Sequence, residues 1–205
     1  MQEAARRIFW HGKSSEYWGL CFTAEEPNVV VNMTKVGSPP SVTLEYSTNG
    51  IKWLPFDANN GTTPITLKKT GSKVFFRAGL GGNIRLSSNQ DKYRTFTCSG
   101  RCAASGNIMS LLNAENENNT TLTGDYTFYC LFNGCPITTA PLLPADNIFF
   151  RSYSFMFQNC AALVHPPIIS ATVVRDYGCR GMFQNCTALA YAPDLLPTTL
   201  TQYCY

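Results

Sequence analysis

The sequence predicts a mainly β protein, an N-terminal β-sandwich followed by a short solenoid of stacked repeats. Three observations carry that expectation. Between residues 20 and 97, apolar and polar residues alternate in short runs separated by Pro, Gly and Asn. An Asn-Gly pair, Asn49-Gly50, sits between two such runs, where a tight hairpin turn needs positive φ. Finally, the last 81 residues repeat themselves at intervals of 25 and 26 residues.

Composition narrows the function classes. Charged residues make up 14% of the 205-residue chain, against roughly 25% in average proteins. The formal net charge of +3 lacks the dense basic stripe that a phosphate backbone demands, so no nucleic-acid partner is expected. No apolar run approaches a membrane span, and the first 20 residues hold no apolar core of a secretory signal. If Met1 opens the natural chain, export by a standard signal is not expected.

Residues 1–18 carry Arg6, Arg7, Phe9 and Trp10 without a helical or strand period. They read either as an assembly arm that orders against a neighbour or as a tail whose aromatics tuck onto the next domain. The β-sandwich is expected over residues 19–100. Val42, Leu44 and Tyr46 alternate with Thr43, Glu45 and Ser47, and Trp53 and Phe56 begin the return strand after the turn. Further strands are expected at 21–24, 29–35, 65–68, 73–78, 84–87 and 94–98. Residues 101–124 break the pattern: a possible helical turn at 108–112 gives way to an Asn/Glu/Thr-rich stretch, read as a linker or cap.

Residues 125–205 hold about three repeat copies and the start of a fourth. They read LFNGCPITTAPLLP, MFQNCAALVHPPIIS and MFQNCTALAYAPDLLP. Phe132, Phe157 and Phe183 recur with Cys135, Cys160 and Cys186 three residues later, and Leu163 and Leu189 follow in register. In the first copy Ile137 takes that place if one residue is deleted after Cys135. Such a unit cannot bury its apolar side alone, so these residues are expected to stack as the ladders of the repeat core. Cysteine suits an interior position because it is small, largely apolar and donates weakly to a carbonyl. The nine cysteines are accordingly expected to be mostly buried free thiols rather than a disulfide framework. A last unit ending in Tyr203, Cys204 and Tyr205 is expected to present an open apolar edge, to be covered by more chain or by a neighbouring subunit.

The M-F-x-x-C-x-x-L-x-x-x-P units resemble BspA-like leucine-rich repeats of gut bacterial surface proteins and their phages. The LCFTAEE and SGNIMSLL segments are similar to the β-rich leader domain common before such arrays. Together the resemblance spans about residues 20–205. It implies an N-terminal β-sandwich followed by a short leucine-rich-repeat-like solenoid, and adhesion, host contact or virion architecture rather than catalysis. The expected protein is a non-enzymatic virion structural or attachment protein, assembled in the host cytoplasm. Its partners would be other virion proteins, copies of itself, or a host-surface glycan or protein. The alternative is a bacterial cell-surface adhesin or carbohydrate-binding module.

Candidate sites are few. Trp53, Tyr126, Tyr153 and Tyr177 could stack a ligand, although a place in the core is the favoured reading for each. His165 falls in a variable turn of the repeat, and the other histidine is His11, so a catalytic base is not supported. Cys98 and Cys102 have the spacing of half a zinc site without a second pair, and no metal or cofactor is expected. Gly79, Gly81 and Gly82 lack the spacing of a phosphate-binding loop and read as a turn.

Overall fold

The structure, a computed structural model, describes residues 19–60, 63–194 and 197–205. The expected arm, with Arg6, Arg7, Phe9 and Trp10, lies outside the described residues.

Alternation builds the strands. In β1 (Leu20–Ala24), Leu20, Phe22 and Ala24 are buried; in β2 (Val29–Val36), Val29, Val31 and Met33 are buried between half-exposed neighbours. The chain continues through β3 (Leu44–Ser47), β4 (Leu54–Phe56), β5 (Ile65–Leu67), β6 (Lys73–Ala78), β7 (Tyr93–Cys98) and β8 (Cys102–Ser105). Then come a single 3-10 turn (Ile108–Leu111) and the short strands β9 (Ile137–Thr139), β10 (Asn147–Ile148), β11 (Val173–Val174) and β12 (Thr199–Leu200). Three sheets result, none of them closed. One has the order β4-β3-β6-β1-β8-β9, the second β5-β2-β7, and the third β10-β11-β12. The first two are antiparallel apart from the β8–β9 pair, and the third is parallel.

Aromatic rings join the first two sheets. Phe22 lies 5.1 Å from Phe96, and Phe96 lies 4.9 Å from Phe76 and 5.9 Å from Phe132. All four are 0% exposed, and burying each side chain is worth about 1.5–3 kcal/mol. Polar side chains also sit in this interior, Arg94 the largest of them. Arg94 of β7, 1% exposed, donates from Nε to the Ala58 carbonyl and from Nη1 to the carbonyls of Pro40 and Leu86. Its Nη2 donates to Asn59 Oδ1, so three loops are tied to one guanidinium.

Several expectations change. The chain from β3 to β4 is a six-residue loop rather than a tight hairpin turn, although Gly50 does take a positive φ of 73°. Ser47 Oγ accepts the Asn49 and Gly50 amides, and Asn49 Oδ1 accepts those of Ile51 and Lys52. Asn49 therefore works through its side chain, and the return strand opens at Leu54 instead of Trp53. Residues 84–87 form no strand, because the Leu86 amide donates to Thr127 and its carbonyl is claimed by Arg94. The stretch 101–124 does more than link. Cys102 and Ala104 point inward from β8, which lies between β1 and β9 in the six-stranded sheet. The turn at Ile108–Leu111 does form, with Asn107 Oδ1 accepting the Met109 amide at 2.8 Å.

The three copies stack in register. Phe132 and Phe157 are parallel at 5.3 Å, and Phe157 and Phe183 at 5.8 Å. The Cys160 thiol donates to the Phe132 carbonyl and the Cys186 thiol to that of Phe157, both at 3.0 Å. Ile148, Val174 and Leu200 mark the same place in β10, β11 and β12, and their exposure runs 0%, 0% and 52%. The residue missing after Cys135 falls where the first copy departs from the others. Its Ile137–Thr139 joins the six-stranded sheet as β9, whereas the segments after Cys160 and Cys186 form no strand. All nine cysteines are free and seven are buried.

Candidate binding surface

The Phe-containing side of each copy is a ribbon of overlapping turns. In the first copy, the amides of Tyr129, Leu131, Asn133 and Cys135 each bond the carbonyl three residues back. The intervening amides of Tyr126, Phe128, Cys130, Phe132 and Gly134 reach sideways to the next copy. Their acceptors are the carbonyls of Phe150, Ser152, Ser154, Met156 and Gln158, at 2.8–3.1 Å. From Phe128 to Cys135 every amide thus has a partner, alternately lateral and local.

Such a ribbon needs a left-handed residue at every fourth place. Tyr126, Cys130 and Gly134 have φ of 56°, 58° and 72°; Arg151, Phe155 and Asn159 have 54°, 56° and 62°. Tyr177, Gly181 and Asn185 follow at 57°, 61° and 62°, and Tyr203 at 52°. Gly and Asn enter this region cheaply, while other residues lose roughly 1–2 kcal/mol. The column Gly134, Asn159, Asn185 is therefore relaxed. The column Tyr126, Arg151, Tyr177, Tyr203 is strained at every place. Gly181 has its own reason, since a Cβ there would lie 2.4 Å from the Phe155 ring.

Side chains sort by the same count of four. Phe128 and Tyr153 face inward, with rings 6.2 Å apart, and Phe132, Phe157 and Phe183 form the parallel interior stack. On the outward side, Tyr126 lies 5.5 Å from Phe150, Phe150 lies 5.8 Å from Tyr177, and Tyr177 stacks on Tyr203 at 5.1 Å. The Arg151 guanidinium is 4.6 Å from the Tyr177 ring and 5.5 Å from Phe150; Arg180 is 5.3 Å from Tyr177. Beside this column runs an amide ladder. Asn133 donates to Gln158 and Gln158 to Gln184, while Asn185 donates to Asn159 and Asn159 to Asn133.

The expected ligand-stacking residues therefore separate. Tyr126 and Tyr177 are half-buried members of the outward column. Tyr153 is 0% exposed and packs beside Phe128 in the interior, where no ligand reaches its ring. It shifts to the inner face because it sits two residues after the left-handed Arg151. Trp53 lies elsewhere, half-buried at the edge of the six-stranded sheet, with the Arg77 guanidinium 4.0 Å from its ring. Arg77 is itself paired to Glu45 at 2.6 Å, so that face of Trp53 is covered. Of the repeat-core residues, Phe132, Cys135, Phe157, Cys160 and Leu163 are buried, and Phe183, Cys186 and Leu189 are half-buried against them. Arg151 carried no signal as a candidate in the sequence. The register that exposes it is the alignment of Tyr126 with Arg151 and Tyr177, visible once the left-handed places are counted.

A concavity of about 670 Å³ lies beside Arg77. Glu45, Leu80, Ile84, Asn113, Glu115 and Thr123 are among its walls, with Leu80 96% exposed. Gly79, Leu80, Gly81 and Gly82 form a turn there, closed by the Gly82 amide on the Gly79 carbonyl at 3.0 Å. His165 is exposed against Tyr191. Among the described residues, no group of three or more His, Cys, Asp or Glu is placed to hold a metal, and no helix is long and apolar enough to cross a membrane. No family model, curated protein or solved structure matches the chain.

Proposed function

We propose that the protein is a non-enzymatic virion structural or attachment protein of a phage of gut bacteria. In this reading a β-sandwich holds out a leucine-rich-repeat-like solenoid toward other virion proteins, further copies of itself, or a host-surface glycan or protein. The observation that supports it best is the continuous packing from sheet to repeat. Rings run from Phe22 and Phe96 into Phe132, Phe157 and Phe183, so whatever the repeats display is held rigidly on its base. The gut and phage setting comes from the likeness of the Met-Phe-Gln-Asn-Cys units to BspA-like repeats. Nine free thiols also suit assembly in a reducing host cytoplasm better than passage through an oxidising compartment.

Mass spectrometry of purified virions tests this reading, which expects the chain among the structural proteins and its gene beside head or tail genes. A secretory signal upstream of Met1 in the natural gene would sink it. That outcome would favour the second reading, a bacterial surface adhesin or carbohydrate-binding module, which the outward aromatic and arginine column supports. A glycosidase needs two carboxylates facing one substrate. Glu45 and Glu115 do share a concavity, but Glu45 is tied to Arg77. The non-enzymatic reading predicts no release of reducing sugar from any polysaccharide the protein binds.

A further inference from the structure

We propose that the column Tyr126, Arg151, Tyr177 and Tyr203 binds an acidic polysaccharide, one carrying carboxylate or sulfate groups. The inference deepens the attachment reading and rests on it.

Backbone conformation is the first ground. The turn ribbon requires left-handed residues, and one column meets the requirement with Gly134, Asn159 and Asn185 at little cost. The column at issue places three tyrosines and an arginine in the same conformation, where glycine or asparagine would be relaxed. Strain kept at a surface points to a use for the side chains themselves. Core packing does not supply that use, because the interior is filled by Phe128, Tyr153, Phe132 and Phe157, whereas Tyr126, Arg151 and Tyr177 are half-buried on the outward side.

The electrostatics of Arg151 are the second ground. Its guanidinium lies against Tyr177 and Phe150, it forms no ion pair among the described residues, and its buried Nε has no hydrogen-bond acceptor. Aromatic neighbours thus hold an unneutralised guanidinium in place, a cation that a carboxylate or sulfate would pair with. Arg180 adds a second cation beside Tyr177. The nearby Asp176 is engaged in accepting the Gln202 amide at 3.1 Å.

Spacing is the third ground. Copies joined by lateral backbone bonds advance by about 4.8 Å, the interstrand distance. That step is close to the length of one pyranose, so a polysaccharide along the column meets one side chain per sugar. Tyrosine offers ring edges and a hydroxyl to sugar oxygens, while its ring faces hold the arginines in place.

The test uses the full chain and three variants, Tyr126→Asn, Arg151→Asn and Tyr177→Asn. Asparagine tolerates the left-handed conformation, so each variant is expected to keep or raise the Tm of the parent. Affinity electrophoresis would be run in gels containing polygalacturonate, heparin or neutral dextran. The parent should be retarded by polygalacturonate, heparin or both, but not by dextran, and retardation should fall as salt rises. Arg151→Asn should weaken binding by about ten-fold or more, the loss of one charge-assisted contact. Equal retardation by dextran, none by either acidic polymer, or variants that bind like the parent would each overturn the proposal. So would a fall in Tm with binding unchanged, which marks the column as packing. A chain found in virions that ignores both acidic polymers defeats this site alone and leaves the attachment reading standing.

Discussion

Phe157 is the middle ring of three, parallel to Phe132 on one side and Phe183 on the other, and wholly buried. Phe157→Ala should therefore destabilise the protein by about 3–5 kcal/mol in urea titration. A loss under about 1 kcal/mol would show that the ring is not core. Arg94 makes a complementary case, because its removal takes the guanidinium donor from the carbonyls of Ala58, Pro40 and Leu86, while Asn59 Oδ1 keeps the Val42 amide. Arg94→Met keeps much of the volume yet strands buried carbonyls, and a loss of at least about 2 kcal/mol is expected from that alone. Indistinguishable unfolding midpoints for Arg94→Met and parent would mean water replaces the guanidinium freely. The sequence could not reveal this residue, since an arginine among strand residues looks like any solvent-facing charge.

The turn ribbon can be probed at one clean position. Gly134 has φ of 72° and open space where a Cβ would go, so Gly134→Ala adds conformational cost without a clash. It should lose about 1 kcal/mol, and Gly134→Asn should recover most of it, matching the asparagines already at 159 and 185. Equal stability of the alanine and glycine forms would contradict a left-handed ribbon. Most strands were legible because β2 alternates and the apolar runs of β1, β6 and β7 are bounded by turn residues. The repeat register was legible too, because Phe and Cys recur. β8 was not, since Cys-Ala-Ala-Ser has little β-propensity and draws its place from β1 and β9 on either side. The outward column also escaped notice in part. Side chains in this ribbon repeat every four residues, so grouping the aromatics ahead of each Phe-x-x-Cys unit put Tyr153 with Tyr126 and Tyr177 when its true neighbour is Phe128.

At the scale of the molecule, one buried cluster runs from Leu20 in β1 through Phe132 and Phe157 to Cys179 and Met182. Sheets and repeats should accordingly unfold together, with calorimetric and van't Hoff enthalpies equal. Two resolved heat-capacity peaks would show that the parts are separable. Buried thiols add a pH dependence. Burial raises Cys130 from its ordinary 9.0 to about 11 and Cys160 to about 12. A thiol whose folded value is raised supports folding fully below pH about 9, and that support is lost as pH rises through about 11 to 12. The urea midpoint should hold between pH 7 and about 9 and then fall, less steeply in a Cys130→Ala, Cys160→Ala double variant. A midpoint flat to about pH 12 would show that these thiols are not desolvated.

Lateral bonding between copies sets residues 26 apart side by side, as in Val164 on Thr138 and Ala190 on Val164. Excising residues 158–183 would join Phe157 to Gln184 and regenerate Met-Phe-Gln-Asn-Cys at the seam. No new loop is needed, and the ring of the first copy meets an equivalent ring beyond it. Slipped recombination between two such coding stretches therefore yields a shorter or longer array that still closes its hydrogen bonds. The reach of this protein from its base becomes a trait that can change in single, structurally silent steps of the gene.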